Sequence, residues 1–445
     1  MNKQNQTDFP ENPQLLIVGA STRAAAFSAL RAGFRPVCVD QYADSDLLEI
    51  AEVIPKTAVS SDWIETLLQY PPLDWIYTGA MENQPEFIGQ ISQKHLLRGC
   101  DSNVLERARN PFLLEQILSQ SRIQAAPCLP AGSLFSETEK WLSKPFKGAA
   151  GAGIQFADSH ASTHSIQENC YLQRYEPGIP LSALFISFQQ ATVLVGVSLQ
   201  FIGNSAFHAD PFQFCGGVTL SPVASWLKEL LEETGQTISQ HCQIQGIFGC
   251  DFLLNPEQEN EIWLNEVNPR YTALTELFEL QYCLPLLHWH LAACRSFDDT
   301  QTGKNALEQL QSELVLSEKR RNPLISKGIL YAASKVKTPK IGWKSFSTDH
   351  LYQIPESADI PCSDTTIHPG SPICTVYGVG ENLQSCLQSL ADRVVHYEQI
   401  FEQDSCRSRQ RSEVFNTFVP INKIEKLFFQ GFSPSRNDSH SFLED

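Results

Sequence analysis

The segment CDFLLNPEQENEIWLNEVNPR, residues 250–270, contains two apolar, strand-like runs separated by a polar stretch. The first run is Cys250–Asn255 and the second is Ile262–Arg270. A short turn around Pro256–Asn260 would join the two runs into an antiparallel hairpin. The pairing of that hairpin determines which of its polar side chains share one face of a sheet.

Several polar side chains of this hairpin are predicted to lie on the same face of the sheet. Glu266 and Asn268 are two residues apart, so the alternation of a strand points both in the same direction. Asp251 on the first strand would lie beside them. Three oxygen ligands on one face suit Mg²⁺ bridged to nucleotide phosphates, and Arg270, just past the strand, could meet a phosphoryl oxygen. The alternative is a solvated hairpin face without a ligand.

A second segment, LSKPFKGAAGAGIQF at residues 142–156, places Lys144 and Lys147 beside a loop of small residues. The glycines of that loop are Gly148, Gly151 and Gly153. Such a loop lets backbone N–H groups close over phosphates while the lysines act as point charges. It is not a Walker loop, because the lysine precedes the glycines and no Gly-Lys-Ser/Thr follows. A plain turn rich in glycine and alanine is the alternative.

Towards its N-terminus the chain alternates strand-like and helix-like runs. LLIVG (15–19) and PVCVD (36–40) predict strands. RAAAFSALRAG (23–33) predicts the helix between them, with Ser21 or Thr22 as its cap. Alternation of this kind indicates a parallel sheet with helices on both faces.

The first turn of this region offers a rival interpretation, an NAD(P)-dependent oxidoreductase. Asp40 has the spacing of the ribose-binding acid, but the turn at 19–24 reads GASTRA and lacks two of the three glycines of a dinucleotide fingerprint. A scaffold without a cofactor is therefore favoured. Ser21 and Arg23, at a helix N-terminus, could instead hold a substrate carboxylate.

Composition narrows the classes of partner. The 445 residues carry a formal net charge of -17, which repels phosphate backbones and anionic lipid, so we expect neither nucleic-acid nor membrane binding. No apolar run approaches the roughly 18 residues that a membrane-spanning helix needs. Thirteen scattered cysteines, with no CxxC pair, favour reduced thiols and a cytoplasmic location.

The order of the two chemistry-bearing segments resembles the ATP-grasp superfamily. LSKPFKGAAGAGIQF is similar to that superfamily's phosphate-covering strand and flap, and YLQRYEPG (171–178) to its hinge strand. GCDF (249–252) and NEVNPR (265–270) are similar to its metal-binding strands. Two departures stand out: arginines replace the early lysine of the ATP module, and the acid that often holds the ribose is absent after the hinge glycine.

The resemblance implies a role for each matching residue. Lys144, with Lys147 and the three loop glycines, contacts the phosphates of ATP, and Arg109 takes the place of the early lysine. Arg270 stabilises the transferring phosphoryl group. The hinge contacts the adenine through Gln173, Arg174, Tyr175 and Glu176, the last two with their backbone groups. One or two Mg²⁺ ions, or Mn²⁺, are held by Asp251, Glu266 and Asn268.

The same resemblance implies an α/β fold made of several units. A Rossmann-like domain at 1–108 precedes an ATP-grasp α+β module at 109–300, and a small C-terminal unit follows at 320–401. A polar stretch at 300–323 is linker-like, although part of it could be helical. The tail at 402–445, rich in Ser, Arg and Asp, is expected to be loosely ordered.

The activity implied is an ATP- and magnesium-dependent ligase that converts a carboxylate into an acyl phosphate and transfers it to an amine. GASTRAA (19–25) and GAMEN (79–83) resemble carboxylate–amine ligases related to the tyramine–glutamate ligase of pterin-type cofactor synthesis. Glu82 and Asn83, at a strand end, could contact substrate. The expected partners are a small carboxylate, an amine and a second copy of the chain. A non-catalytic nucleotide-binding subunit is the other alternative.

Overall fold

The computed structural model describes residues 12–55, 62–158, 169–255, 261–320, 322–339, 350–401, 414–415 and 424. The predicted turn at 256–260 lies outside the described residues, as does nearly all of the tail at 402–445.

The N-terminal unit alternates strands and helices as the sequence predicts. Its elements are β1 (Gln14–Val18), α1 (Arg23–Arg31), β2 (Arg35–Asp40), α2 (Ser45–Leu48), β3 (Glu52–Pro55), α3 (Asp62–Gln69), β4 (Asp74–Tyr77), α4 (Pro85–Ser92) and β5 (Leu96–Leu97). A 3₁₀ turn, Met81–Asn83, follows β4. The strands form a parallel sheet in the order β3-β2-β1-β4-β5. Leu15 to Val18 of β1 are fully buried because helices cover both faces of the sheet.

The start of α1 differs in one detail from the expected cap. Thr22 occupies the N-cap position, but its hydroxyl makes no capping bond to the helix backbone. The Thr22 hydroxyl and backbone N–H both donate to Asp40 Oδ2, at 2.8 and 2.6 Å. Thr22 therefore ties the turn after β1 to the end of β2.

The central part of the chain is richer in strands. Its elements are α5 (Ser102–Ala108), α6 (Pro111–Leu118), β6 (Gln124–Ala125), β7 (Cys128–Pro130), β8 (Trp141–Pro145), β9 (Gln155–Phe156), β10 (Cys170–Arg174), β11 (Ile179–Ser187), β12 (Thr192–Ile202), β13 (Phe214–Leu220), α7 (Ser225–Cys242), β14 (Gly246–Leu254), β15 (Ile262–Asn268), α8 (Thr275–Tyr282), α9 (Leu286–Arg295) and α10 (Thr300–Lys319). A small antiparallel sheet has the order β7-β10-β8-β9. The stretch predicted as a linker is a helix of 20 residues, α10, whose Leu310 and Leu314 pack into the core. Its apolar residues at helical spacing outweigh its polar composition.

The C-terminal strands extend the large sheet of the central part. They and the last helix are β16 (Leu324–Tyr331), β17 (Val336–Lys337), β18 (Ser357–Ala358), β19 (Thr366–Ile367), β20 (Pro372–Gly380) and α11 (Leu383–Ile400). The resulting nine-stranded sheet has the order β18-β20-β16-β13-β12-β11-β14-β15-β6. The α/β fold class predicted from the sequence is confirmed.

The helices and the cysteines of the described residues relate to the expectations drawn from composition. Among the helices of the described ranges, none is long and apolar enough to cross a membrane. Every cysteine that the structure describes is a free thiol, and most of these thiols are buried.

Candidate active site

The site lies in a cleft of about 770 Å³ between the small sheet, the large sheet and the carboxyl ends of β1 and β4. Ligands of open α/β sheets collect at such strand ends. The predicted residues that line the cleft are Lys144, Gly151, Gln173, Arg174, Tyr175, Glu176, Asp251, Glu266, Asn268 and Arg270. Arg109 and Gly148 line a smaller adjoining cavity of about 60 Å³, which Lys144 and Glu266 also border. Of the predicted loop residues, Lys147 and Gly153 line neither cavity.

The hairpin of β14 and β15 brings the predicted carboxylates together. Asp251 lies directly opposite Glu266 in the antiparallel register. The Asn268 amide nitrogen donates to Asp251 Oδ2 at 3.0 Å and to Glu266 Oε1 at 3.3 Å. Gln200, on β12, donates to the other oxygen of Asp251 at 2.9 Å. The three polar side chains therefore share one face, as the strand alternation predicts.

A β-bulge in β15 adds a fourth polar side chain to this face. The register passes from Asp251–Glu266 to Phe252–Leu264, so Asn265 is the extra residue. Bulges re-aim side chains next to active sites. Lys144 Nζ donates to Asn265 Oδ1 at 3.2 Å and to Gln173 Oε1 at 2.8 Å. The lysine of the glycine-loop strand is thus held against the carboxylate hairpin.

The two carboxylates of the site lie among three cationic side chains, Lys144, Arg109 and Arg270. Burial opposes ionisation of Glu266, but the charges of Lys144 and Arg109 outweigh it, so the Glu266 pKa lies below its ordinary value. Burial and the Glu266 charge raise the pKa of Asp251. Burial also lowers the pKa of Lys144, and the negative charge of Glu266 offsets only part of this lowering. A divalent cation between the two carboxylates would favour both in their ionised form.

The donor set fits a hard metal ion. Asp251, Glu266 and Asn268 offer carboxylate and amide oxygens, which Mg²⁺ and Mn²⁺ accept. Within the described ranges, no group of three His, Cys, Asp or Glu side chains could hold a metal by itself. The site therefore relies on two carboxylates with one amide, leaving room for ligand oxygens.

Glu82 has a structural partner that the sequence did not reveal. Arg270 Nε donates to Glu82 Oε1 at 2.7 Å, and Arg270 NH2 donates to Asn268 Oδ1 at 3.2 Å. Glu82 is 4% exposed, and its carboxylate lies 3.8 Å from Arg109 NH1. Burial by itself would lower the pKa of Arg270. The negative charge of Glu82 outweighs burial, so the Arg270 pKa lies above its ordinary value. The N-terminal unit thus fixes the orientation of two arginines at the site.

The glycine loop between β8 and β9 is tied down from both sides. The Gly148 carbonyl accepts from Asn83 Nδ2 at 3.0 Å and from Arg109 NH2 at 3.2 Å. On the other side, the Phe214 N–H donates to the Ala150 carbonyl at 3.2 Å. Gly151 has φ +83°, and a Cβ there would meet the Phe212 carbonyl oxygen at 1.9 Å. Only glycine allows this approach.

The remaining predicted residues lie in three different settings. Lys147 is exposed, and no ion pair with a described residue holds it. Arg174 lies over the Trp263 ring at 5.2 Å and pairs with Glu176. The Tyr175 N–H donates to the Lys140 carbonyl at 2.8 Å, so only its carbonyl and the Glu176 backbone remain as candidates for base contacts. The Gln173 side chain is bound to Lys144 and the Asn265 carbonyl, so it positions the lysine.

We expect Gly151→Ala to weaken MgADP binding by about tenfold or more, because a side chain at positive φ is strained and this Cβ would push the loop off Phe212. A fluorescence titration with MgADP measures the effect. Gly153→Ala is the matched control: its φ is +78°, but its Cβ meets only Pro145 side-chain atoms, at 3.4 Å or more. Equal losses in both variants would show that contact with Phe212 does not matter.

The turn after β1 does not suit a dinucleotide. A Cβ at Gly19 would meet Thr78 Oγ1 at 1.9 Å, so this glycine serves packing against β4. Asp40 Oδ1 accepts from the Tyr42 and Ala43 N–H groups, each at 2.8 Å, while its Oδ2 accepts from Thr22. Both oxygens are committed to the backbone of the turn, so the oxidoreductase interpretation lacks its ribose acceptor.

The suggested carboxylate pocket at Ser21 and Arg23 is also corrected. Ser21 lines the cleft, but Arg23 is 2% exposed and points into a buried network. Arg23 Nε bonds Asp46 at 3.1 Å, and its guanidinium bonds Glu276 and the Tyr377 hydroxyl. A guanidinium with these partners cannot serve a substrate carboxylate.

Sequence reasoning missed two residues of the site. Gln200 lies on β12, which β13 and α7 separate from the hairpin in the sequence, and its neighbours in the sequence do not distinguish it from any other buried glutamine. Asn265 is next to Glu266 in the sequence, so in a regular strand its side chain would point to the opposite face. The bulge turns it to the face that carries Asp251, Glu266 and Asn268. The place of Asn265 beside Glu266 was the one available signal.

Comparisons with known proteins agree with this geometry. A family model described as an ATP-grasp domain matches residues 108–274. No curated protein matches the sequence.

Solved structures share the fold over most of the chain. Biotin carboxylase from Campylobacter jejuni is 14% identical with a TM-score of 0.59, covering 85% of this chain and 91% of that one. L-amino acid ligase from Bacillus licheniformis is 12% identical with a TM-score of 0.59, covering 86% and 98%. The biotin carboxylase domain of 2-oxoglutarate carboxylase from Hydrogenobacter thermophilus is 9% identical with a TM-score of 0.64, covering 94% and 98%. At these identities the likeness establishes the fold.

Proposed function

We propose, from the match of residues 108–274 to the model of an ATP-grasp domain, that the chain is an ATP- and magnesium-dependent ligase joining a carboxylate to an amine. The observation that carries the proposal is the shared cleft. The lysine and glycine loop on one side and the carboxylate hairpin on the other line a single cavity, joined through Lys144 and Asn265. Structural relatives include a biotin carboxylase crystallised with MgADP and an L-amino acid ligase.

The nucleotide would lie between the small and the large sheet. The loop glycines would offer backbone N–H groups to the phosphates, with Lys144 and Arg109 supplying positive charge. Lys147 would join them if the loop closes. The adenine would meet the hinge at Arg174, Tyr175 and Glu176, where Leu142, Ile154 and Phe252 provide apolar walls. Gln173 would hold Lys144 in place and contact the base from the same strand.

Magnesium would be held by Asp251, Glu266 and Asn268, and when bound it would neutralise phosphate oxygens. Arg270 would stabilise charge on the transferring phosphoryl group. Glu82 and Asn268 would keep the guanidinium oriented, so little reorganisation is needed during the reaction.

The chemistry needs no side-chain nucleophile. An oxygen of the substrate carboxylate attacks the γ-phosphorus of ATP, ADP leaves, and an acyl phosphate forms. The amine nitrogen then attacks the acyl carbon, inorganic phosphate leaves, and the nitrogen loses a proton as the amide forms. The protein would act by positioning and by charge neutralisation.

The substrate pair is a narrower proposal. The resemblance of GASTRAA and GAMEN to tyramine–glutamate ligases makes pterin-type cofactor synthesis the first pathway to test. The lining of one cleft by Lys144, Asp251, Glu266 and Arg270 supports an active ligase over a non-catalytic subunit.

The test is ADP release from MgATP over a panel of carboxylic acids crossed with amines. We expect at least one pair to release ADP only when acid and amine are both present, with amide detected by mass spectrometry. MgATP binding without ADP release over the whole panel would support the non-catalytic alternative.

The domain limits 1–108, 109–300 and 320–401, together with homodimer formation, complete the proposal. Limited proteolysis checks the limits, and light scattering of the full chain checks the dimer.

A further inference from the structure

A second polar region lines the same cleft away from the carboxylate hairpin. It is built by the loop after β2, the loop after β18 and the facing strands β16 and β20. Its lining residues include Tyr42, Asp44, Asp359, Lys327 and Thr375. None of these residues is used by the nucleotide or metal chemistry proposed above.

The two loops are bound to each other and form one wall. The Ser45 N–H and hydroxyl both donate to the Ile360 carbonyl, at 2.7 and 2.9 Å. Asp46 accepts from the N–H groups of Asp359 and Ile360, each at 3.0 Å. The wall is therefore set before any ligand arrives.

The wall carries more negative than positive charge. Arg23 is committed to Asp46 and Glu276, and Lys327 Nζ lies 3.5 Å from Glu276. Arg23 Nε lies 3.7 Å from Asp359, beyond hydrogen-bond distance. These two cations face four carboxylates: Asp44, Asp46, Asp359 and Glu276. Arg31, which also acts on Glu276, is paired with Glu279, and Asp40 adds negative charge near Asp44, so negative charge remains in excess.

Asp44 is the carboxylate without a partner. Asp44 is only 8% exposed and occupies the N-cap position of α2 without a side-chain hydrogen bond, and its carboxylate accepts no hydrogen bond from any described residue. Burial and the nearby charges of Asp359 and Asp46 raise its pKa above the ordinary value. A buried carboxylate in this state is costly, and a cation that enters the cleft relieves the cost.

The surroundings favour an organic cation over a metal ion. The neighbouring cleft surface includes Ile329, Tyr331, Pro361, Ile367 and Ile373. A carboxylate pair beside an apolar surface matches a molecule with an ammonium head and an apolar body.

We propose that Asp44 and Asp359 form a subsite for the ammonium group of an amine with an apolar body. That this amine is the acceptor of the ligase reaction rests on the proposed function, whereas its binding at this wall does not. Thr375 donates its hydroxyl to Asp359 and fixes that carboxylate at the cleft wall. Binding of the amine at this wall is a separate property from hydrolysis of ATP.

Calorimetric titration of the full chain with butylamine, benzylamine and 2-phenylethylamine tests the subsite, each against the alcohol of the same skeleton. We expect at least one amine to bind about tenfold or more tightly than its alcohol, because a charge-assisted bond replaces a neutral one. Asp44→Asn should remove this preference and leave MgADP affinity unchanged. The matched control is Asp298→Asn, whose side chain is 77% exposed and outside the cleft.

Several results would overturn the subsite: no amine preferred over its alcohol, the preference kept in Asp44→Asn, or Mg²⁺ binding that Asp44→Asn abolishes. Melting temperatures of the variants guard against misfolding, and Asp359→Asn provides a second test of the same wall. ADP release is measured in parallel. Amine preference without any ADP release would refute the ligase while the subsite stands, and amine-dependent ADP release without preference would refute the subsite alone.

Discussion

Replacing Glu266 by alanine is expected to lower the rate of ADP release by about 10²- to 10³-fold, the loss seen when one preorganised electrostatic group is removed from an active site. Glu266 faces Asp251 across the hairpin and lies among the charges of Lys144, Arg109 and Arg270. Its removal would leave one carboxylate for the metal and an excess of positive charge. The measurement is the turnover number at saturating MgATP with an active substrate pair.

The matched control for this variant is Glu261→Ala, immediately before the second strand of the same hairpin. Glu261 is partly exposed, bonds Asn255 and lies outside the cleft, so its loss should change turnover less than about twofold. Circular dichroism melts establish that both variants fold. Equal turnover in Glu266→Ala and the wild type would refute the assignment of Glu266 to the metal, whereas the ligase proposal is tested by the substrate panel.

Replacing Arg23 by alanine is expected to cost about 3–5 kcal/mol of unfolding free energy, because removing one partner of a buried ion pair strands the other charges. Arg23 is 2% exposed and connects three parts of the molecule: Asp46 from the N-terminal unit, Glu276 from α8, and the Tyr377 hydroxyl from β20. Urea unfolding followed by tryptophan fluorescence measures the loss.

Arg122→Ala separates burial from charge. Arg122 pairs with Glu233 as Arg23 pairs with its carboxylates, but the two side chains are 57% and 47% exposed. Such a surface pair contributes about 0–1 kcal/mol. A loss in Arg23→Ala no larger than that in Arg122→Ala would mean that the buried network does not hold the three parts together.

Local patterns predicted the N-terminal sheet and the carboxylate hairpin well, because a buried strand such as Leu15–Gly19 and a two-residue alternation such as Glu266–Asn268 are set by neighbouring residues. The helix α10 was misjudged because its polar residues hide a sparse apolar stripe. The joining of β13 to β16 could not be predicted, since more than a hundred residues separate the paired strands.

The residues of the site also divide into those that the sequence could predict and those that it could not. Lys144, Asp251 and Arg270 could be found because family-like segments carry them. The bond from Glu82 to Arg270 depends on the packing of the N-terminal unit against the central part, which no segment encodes alone. Asp44 and Asp359 lie 315 positions apart in the sequence and meet only through the loops that bind each other.

A ribosome that has completed residues 108–300 has made a sheet with one side unfinished. The partner of β13 in the native sheet is β16, which begins at Leu324, so the backbone groups of Gly216–Val218 on that side stay unpaired until β16 has been made. Unpaired strand edges recruit other chains. A gene fragment that stops near residue 320 should therefore yield insoluble protein. The part of the chain that carries the site then needs the C-terminal strands in order to fold in soluble form.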